Sequence, residues 1–392
     1  MISVAEAKDL IRTHTKALSP AMLPLEEAAG SILGEDILAP NDFPPFRQSA
    51  MDGYAFSFDG WNNEPLKIAG EVQAGATVDI PAGKKQAVRT FTGAPLPQSV
   101  DTVVMQEKVY VENGMLQILD TELKMGGNVR QQGSEIKNNA MALQAGTYIS
   151  AGAAGFIAGL GISQVKAIPK PSISIIVTGK ELQKPGEPLR YGQVYESNSF
   201  ALTAGLQQLG IFKVHTQWVD DDLEILTKVI QNELLTADLL LLTGGVSVGD
   251  YDFVTKALEQ SGVEVIFHKV KQKPGKPLLF GKKGEKIVFG LPGNPSSVLT
   301  CFYEYVLLAI QQMQRLEQPF VKSVQLALGS DYHKNIGLTH FLKGLLLNNE
   351  VTPLGAQESY RMKSFAMANC LVVLEENKSE FKKGEMVEVH LL

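Results

Sequence analysis

Chemistry in this chain concentrates where apolar runs break into glycines, hydroxyls and acids. The clearest case is Asp238 to Asp252, where Leu239 to Leu242 give way to Thr-Gly-Gly-Val-Ser-Val-Gly-Asp-Tyr-Asp. Gly244, Gly245 and Gly249, with the hydroxyl of Ser247 among them, allow backbone N–H groups to close around a phosphate or another oxyanion. Asp250 and Asp252 follow, and carboxylates beside a phosphate-sized loop suit a Mg²⁺-bridged polyanion. On this segment alone, an ordinary glycine-rich turn after a core strand is an equal alternative.

Three further segments offer related groups. Pro292-Gly293-Asn294-Pro295-Ser296-Ser297 puts proline at a helix start with two hydroxyls and first-turn N–H groups, a favourable place for an anion or simply a well-capped helix. Lys271, Lys273 and Lys276 flank Pro274-Gly275-Lys276-Pro277, where prolines stiffen a turn that carries ammonium groups, as an oxyanion clamp or a solvated basic hairpin would. Glu181 follows Thr178-Gly179-Lys180, and Asp221 sits within Asp220-Asp221-Asp222; loop solvation and helix capping account for these acids equally well one at a time. Separately, Ser49-Ala50-Met51-Asp52-Gly53-Tyr54-Ala55 follows Pro44-Pro45-Phe46-Arg47 and by itself reads as a turn. The six histidines are scattered and define no Ser/His/Asp arrangement.

The elements that must position these groups follow from pattern. At 392 residues the chain is long enough for roughly two to four domains. A net charge of −6 argues against a general nucleic-acid surface, so an anion site must be built locally. Cys301 and Cys370, far apart and without CxxC spacing, argue against a disulfide framework or structural zinc and read as buried thiols. Without a secretory core or a membrane-length apolar run, a cytoplasmic enzyme with no membrane partner is expected.

Ser3 and Glu6 form a capping box ahead of a helical stripe through Val4, Ala7, Leu10 and Ile11 that Pro20 stops. From about Pro40 to Asn139, short alternating runs cut by Gly and Pro predict a β-rich lobe. Ala151 to Gly161 permits a tightly packed helix returning to the first one, which makes the lobe an insertion. From Pro169 to about Gln314 strands and helices alternate, which predicts a doubly wound parallel α/β sheet, with Asp222 or Asp221 capping one helix. Ligands of such a sheet bind beyond the strand carboxyl ends, and four of these exits carry the acids, glycines and helix start described above. The tail from Val321 to Leu392 returns to alternation and predicts a small β domain.

In order along the chain, Ser-Ala-Met-Asp-Gly-Tyr-Ala, Thr92-Gly93-Ala94-Pro95, Thr-Gly-x-Glu-Leu, Gly-Gly-Val-Ser-Val-Gly-x-x-Asp, Lys-Pro-Gly-Lys-Pro and Leu-Pro-Gly-Asn-Pro resemble the MoeA family of molybdopterin molybdenumtransferases, the molybdenum insertases related to the E domain of gephyrin. The resemblance covers nearly the whole chain. It implies an elongated homodimer with four domains per subunit: 1–40 with 140–168 as a helical linker and dimerisation domain, 41–139 as the inserted β-rich lobe, 169–317 as a parallel α/β domain similar to molybdopterin adenylyltransferase, and 318–392 as a C-terminal β barrel. It implies adenylylated molybdopterin and molybdate as substrates, AMP and molybdenum cofactor as products, and Mg²⁺ as the metal. Molybdopterin adenylyltransferase and apo-molybdoenzymes are the implied protein partners.

Carried over residue by residue, Asp52 and Thr92 of the β lobe, from the same or the partner subunit, would line the cleft, while Glu181, Asp221 and Asp252 bind or orient metal and substrate. Lys273, Lys276 and the loop of Pro292, Gly293, Asn294, Pro295 and Ser297 would hold anionic oxygens, and Ser364 would touch the site from the C-terminal domain. Three departures stand out: Arg130-Gln131-Gln132-Gly133-Ser134-Glu135 replaces an Arg-rich segment ending in Gly-Glu-Asp, Lys343 stands where Arg is common, and Lys180 replaces a frequent acidic or amide residue. Adenylyl transfer to molybdopterin is the alternative enzyme reading, and a non-catalytic molybdopterin-binding scaffold is the alternative outside enzymes. Tungstate, a tetrahedral dianion of similar size, is as compatible with these residues as molybdate.

Overall fold

The computed structural model describes residues 1–245 and 253–392. Its contacts gather into two compact units, one formed by Met1–Ala21, Gly30–Ile32 and Ala167–Leu392, the other by Met22–Ala29 and Leu33–Lys166.

The larger unit is built on six strands: β1 (Ile173–Thr178), β2 (Val214–Val219), β3 (Leu239–Thr243), β4 (Glu264–His268), β5 (Leu279–Lys283) and β6 (Lys286–Leu291). Their spatial order is β2-β1-β3-β6-β5-β4. The first four in that order are parallel, with Ile173 opposite Val214 and Leu239, and Leu239 opposite Ile287. The sheet is not parallel throughout. β5 runs antiparallel to β6, because Gly284 and Glu285 alone join them and a two-residue connection can only make a hairpin, and on its other side it pairs antiparallel with β4.

β1 and β3 are buried along their whole length, as strands covered on both faces must be. Ile175, Val177 and Leu241 face a core shared with helix Asn198–Gln208, with helix Val4–His14, and with the helix that runs through Pro295–Cys301, a π-helical turn Phe302–Val306 and Leu307–Met313. Ile176, Leu240 and Leu242 face the other core, against helices Leu223–Thr236 and Phe253–Gln260. Ser3 caps the helix as its spacing requires, Glu6 N donating to Ser3 Oγ at 3.1 Å. Ala7 and Ile11 then press helix Val4–His14 onto Leu307–Met313. Ala151–Gly159 belongs to the smaller unit and packs there on Leu25–Ala28.

The smaller unit carries a six-stranded sheet in the order Thr102–Met105, Gly53–Phe56, Gln86–Thr90, Leu66–Val72, Met115–Ile118, Val109–Glu112. Strand alternation sends Ala55, Val88 and Val103 to one core and Phe56, Ala87 and Val104 to the other.

In the C-terminal region Ser323–Leu328, Thr339–Leu347, Glu350–Pro353, Cys370–Leu374 and Met386–Leu391 pair in a closed five-stranded barrel around Leu342, Val372 and Val389. The short strand Gln272–Lys273 adds to it in parallel, Gln272 opposite Thr339 and Lys273 opposite His340. Through that pairing the Lys-Pro-Gly-Lys-Pro loop is anchored to the barrel.

Candidate functional site

The carboxyl ends of β2, β1, β3 and β6 share one edge of the sheet, so their exits form one surface. Asp222 caps helix Leu223–Thr236, its Oδ1 accepting from Ile225 N at 2.9 Å. Asp221 is thereby released from capping; its Oδ2 accepts from Lys180 N at 3.2 Å and ties the exit of β2 to the loop that carries Glu181. At the exit of β3, Gly244 and Gly245 have φ of 91° and 63°. A Cβ on Gly244 would lie 2.6 Å from Thr178 O, so this turn requires glycine. Ser247, Gly249 and Asp252 lie outside the described residues.

A cavity of about 870 Å³ opens at this edge. Of the residues singled out from sequence, Glu181, Lys273, Lys276 and the Pro292, Gly293, Asn294, Pro295 and Ser297 segment line it, whereas Asp221, Gly244 and Gly245 do not. The lysine loop is held from below by Gln272, which is fully buried. Its Nε2 donates to Gly275 O at 3.1 Å and its Oε1 accepts from Tyr305 OH. Cys301 abuts the same loop, and burial pushes its thiol pKa well up, so it behaves as packing. Cys370 is likewise buried, its pKa raised to about 11 by desolvation.

The helix start is less open than its sequence implies. Ser296 N donates to Ser359 O at 3.0 Å, and Asn294 Nδ2 donates to Ser359 Oγ at 2.8 Å. Those bonds bring the barrel segment with Gln357, Ser359 and Tyr360 into the cavity wall. Ser364 and Lys343 are buried behind that segment instead of lining the cavity. Ser364 Oγ donates to Ala356 O at 2.8 Å and Arg361 O at 3.1 Å. Lys343 Nζ donates to Ala356 O, Glu358 O and Arg361 O at 2.9, 3.3 and 3.2 Å. Burial lowers the Lys343 pKa, against the pull of Glu358 and with the help of Arg361.

A second cavity, about 420 Å³, shares Lys273, Gln357, Ser359 and Tyr360 with the first and is lined by His340. Burial, reinforced by Lys334 and Lys273, lowers His340 to about 4, so its imidazole is neutral at pH 7. Sequence reasoning missed His340, Gln357, Ser359, Tyr360, Glu196 and Asn198. Only the last two carried a signal, Glu-Ser-Asn-Ser before a helix: Glu196 accepts from Ser199 N and Oγ, both at 2.7 Å, and Asn198 Nδ2 donates to Gly293 O at 2.9 Å.

In the smaller unit, Asp52 Oδ1 accepts from both Thr92 N and Thr92 Oγ1 at 2.8 Å. These bonds, the backbone one first, hold its carboxyl below the ordinary aspartate range. Gly53 explains the Asp-Gly step: a Cβ there would lie 1.9 Å from Val104 O, inside the neighbouring strand's backbone. Glu135 is exposed on a loop whose backbone N donates to Phe43 O at 3.0 Å.

Glu181 and Asp221 offer the hard carboxylate oxygens that Mg²⁺ takes. Among the described residues no three His, Cys, Asp or Glu side chains are grouped to hold a metal by themselves. The chemistry of these carboxylates fits an ion that completes its shell with water and substrate oxygens, which is how Mg²⁺ usually binds phosphates. Among the described residues no helix is long and apolar enough to cross a membrane.

Fold and site together define a multidomain α/β protein with a cavity lined by lysines and polar groups at its strand ends and a β barrel forming one wall. Residues 2–161 match the MoeA N-terminal region (domain I and II), 174–312 a probable molybdopterin binding domain, and 325–392 the MoeA C-terminal region (domain IV). The chain is 34% identical over 385 residues to the molybdopterin molybdenumtransferase of Haemophilus influenzae, covering 94% of each. It is 30% identical over 404 residues to that of Bacillus subtilis, covering 100% of this chain and 94% of the relative. A crystal structure of the molybdopterin biosynthesis MoeA protein from Pyrococcus horikoshii superposes with a TM-score of 0.79 at 29% identity, covering 100% of this chain and 99% of the other. The chain belongs to the MoeA family.

Proposed function

We propose that this chain transfers molybdenum from molybdate to adenylylated molybdopterin, releasing AMP and yielding molybdenum cofactor. The observation that carries the reading is the cavity in which Glu181, Lys273, Lys276 and the Pro292 to Ser297 segment meet at the strand ends. Two anions must come together there, and the site answers with charge and position in place of a nucleophile. Lys273 and Lys276, on a loop fixed by Gln272, balance the pyrophosphate and molybdate oxygens. Asn294, oriented by Ser359, and Ser297 supply further polar contacts.

Mg²⁺ belongs to this proposal: Glu181 and Asp221, with Asp252 assigned from sequence, would hold it, and it would neutralise charge on the pyrophosphate bridge whose cleavage releases AMP. Ser247 and Gly249 are likewise assigned from sequence to the substrate loop begun by Gly244 and Gly245. Asp52, fixed by the two donors of Thr92, acts as an acceptor contributed by the β lobe, and Glu135 is a secondary acid of that lobe. Lys343 and Ser364 support the barrel side. A cytoplasmic homodimer with the four-part domain plan 1–40 with 140–168, 41–139, 169–317 and 318–392 completes the reading; the separate matches to domains I and II and to domain IV support that plan. Handover partners are molybdopterin adenylyltransferase upstream and apo-molybdoenzymes downstream.

The test is AMP release from adenylylated molybdopterin with Mg²⁺, with and without molybdate, the product being assayed by reconstitution of a cofactor-free molybdoenzyme. Molybdate-dependent AMP release with active product is the expected outcome. Tight binding with the adenylate left intact would support a scaffold instead. Asp52→Ala is expected to lower turnover about 100- to 1,000-fold, the range for losing one preorganised polar group at a reacting centre, with the fold retained by circular dichroism.

A further inference from the structure

We infer that Lys343 is a positioning residue of this site: its ammonium fastens the barrel segment that forms one cavity wall and does not itself meet the oxyanion. An ammonium has three donors and no acceptor. All three are accounted for by Ala356 O, Glu358 O and Arg361 O at 2.9, 3.3 and 3.2 Å, and the side chain is almost wholly buried. The same strand residue also clamps the segment through its backbone. Lys343 N donates to Gln357 Oε1 at 3.0 Å, and Lys343 O accepts from Gln357 Nε2 at 2.8 Å.

The segment needs such a fastening. Ala356 has φ of 59°, a left-handed conformation disfavoured for alanine, and its carbonyl is the one that both Lys343 and Ser364 grip. Downstream of that turn, Gln357, Ser359 and Tyr360 enter the cavity wall, and Ser359 makes the two bonds to Asn294 and to Ser296 N. A continuous series of bonds thus runs from a buried lysine in the barrel to the helix start at the anion loop.

The inference rests on the transferase reading only for its kinetic arm, so the structural arm is measured on the intact protein without substrate. Amide hydrogen exchange is followed at Leu354, Arg361 and Ser296, whose N–H groups donate to Lys343 O, Glu358 O and Ser359 O. Lys343→Met keeps the aliphatic stem and removes the donors; exchange at these three amides is expected to quicken about tenfold or more, as for loss of a charged hydrogen bond. In AMP release, the KM values for molybdate and for the adenylate should rise together, with kcat changed less. Lys343→Arg should not rescue either arm, because a planar guanidinium cannot reproduce three converging ammonium bonds in a closed site.

Unchanged exchange at all three amides, with a rise in the molybdate KM alone that Lys343→Arg restores, would overturn the inference and make Lys343 an oxyanion ligand. Should Lys343→Met fail to fold, Ser364→Ala removes the second grip on Ala356 O and Arg361 O. It should accelerate the same amides by a few-fold, and no acceleration there would count against the fastening. Absence of molybdate-dependent AMP release in the unaltered protein would defeat the functional reading while leaving the exchange result standing.

Discussion

Thr92 gives Asp52 two bonds from one residue, one through its backbone and one through its hydroxyl. Thr92→Val keeps the backbone donor and the side-chain volume, so kcat/KM for AMP release is expected to fall roughly tenfold, well short of the loss for Asp52→Ala. His340 supplies a separate test. Its folded pKa of about 4 lies below the ordinary 6.5, so the unfolded chain takes up a proton first as pH falls. Stability therefore declines from pH 6.5 towards 4, and His340→Asn should flatten that decline in urea unfolding. An NMR titration of the imidazole with a midpoint near 6.5 would contradict this placement. The spacing of Asp221 and Asp222 left capping open between them, and coordinates were needed to separate a cap from an acid at the β1 exit. His340 carried no signal at all, since its lowered proton affinity comes from burial and from Lys334 and Lys273, neither adjacent in sequence.

At the level of elements, the barrel strand Met386–Leu391 is clasped to the long helix by buried charge. His390 Nδ1 meets Glu304 Oε1 at 2.7 Å, Lys8 Nζ meets Glu304 Oε2 at 2.7 Å from the N-terminal helix, and His390 Nε2 meets Glu388 Oε1 at 3.0 Å. Burial works against the charge on both groups, yet Lys8 and His390 lower Glu304, and Glu304 raises His390. The His390 contribution is complete below pH 6.5 and fades as pH rises through its raised value. The Glu304 contribution is complete above 4.5 and fades as pH falls through its lowered one. The clasp is thus strongest between pH 4.5 and 6.5. Glu304→Gln should cost about 3 kcal/mol at pH 6, the low end for breaking a buried pair, and progressively less as pH rises through the raised value of His390, as read from urea midpoints.

Elements with a strong local period were legible: the capped first helix, the leucine strand β3, and the alternation of Val387, Val389 and Leu391. β5 was not, because Leu279-Phe280-Gly281-Lys282-Lys283 pairs a glycine and two lysines with only two large apolar residues. Nor was the Glu304–His390 contact, which joins residues 86 positions apart with nothing local to announce it.

For the whole molecule, the proposed homodimer and the division of site residues between subunits can be tested by mixing inactive chains. Asp52→Ala and Glu181→Ala subunits, unfolded and refolded together, should recover roughly a quarter of wild-type AMP release if the β lobe of one subunit serves the α/β domain of its partner, because half the dimers are mixed and each has one intact site. A site made within one chain would recover nothing. The order of motifs along the sequence identified the family and its α/β and β parts; which distant segments share a core was not written in any local pattern.

That discontinuity has a consequence for how the chain is made. Helix Val4–His14 leaves the ribosome about 300 residues before its covering surface, Leu307–Met313, with the smaller unit lying wholly between them in sequence. At roughly 5–20 residues per second, that helix waits on the order of 15–60 s with Ala7 and Ile11 uncovered, while the intervening unit can fold on its own schedule. Chains arrested before Leu307–Met313 would carry this apolar stripe permanently bare, which makes them, rather than the finished protein, the species most in need of a chaperone.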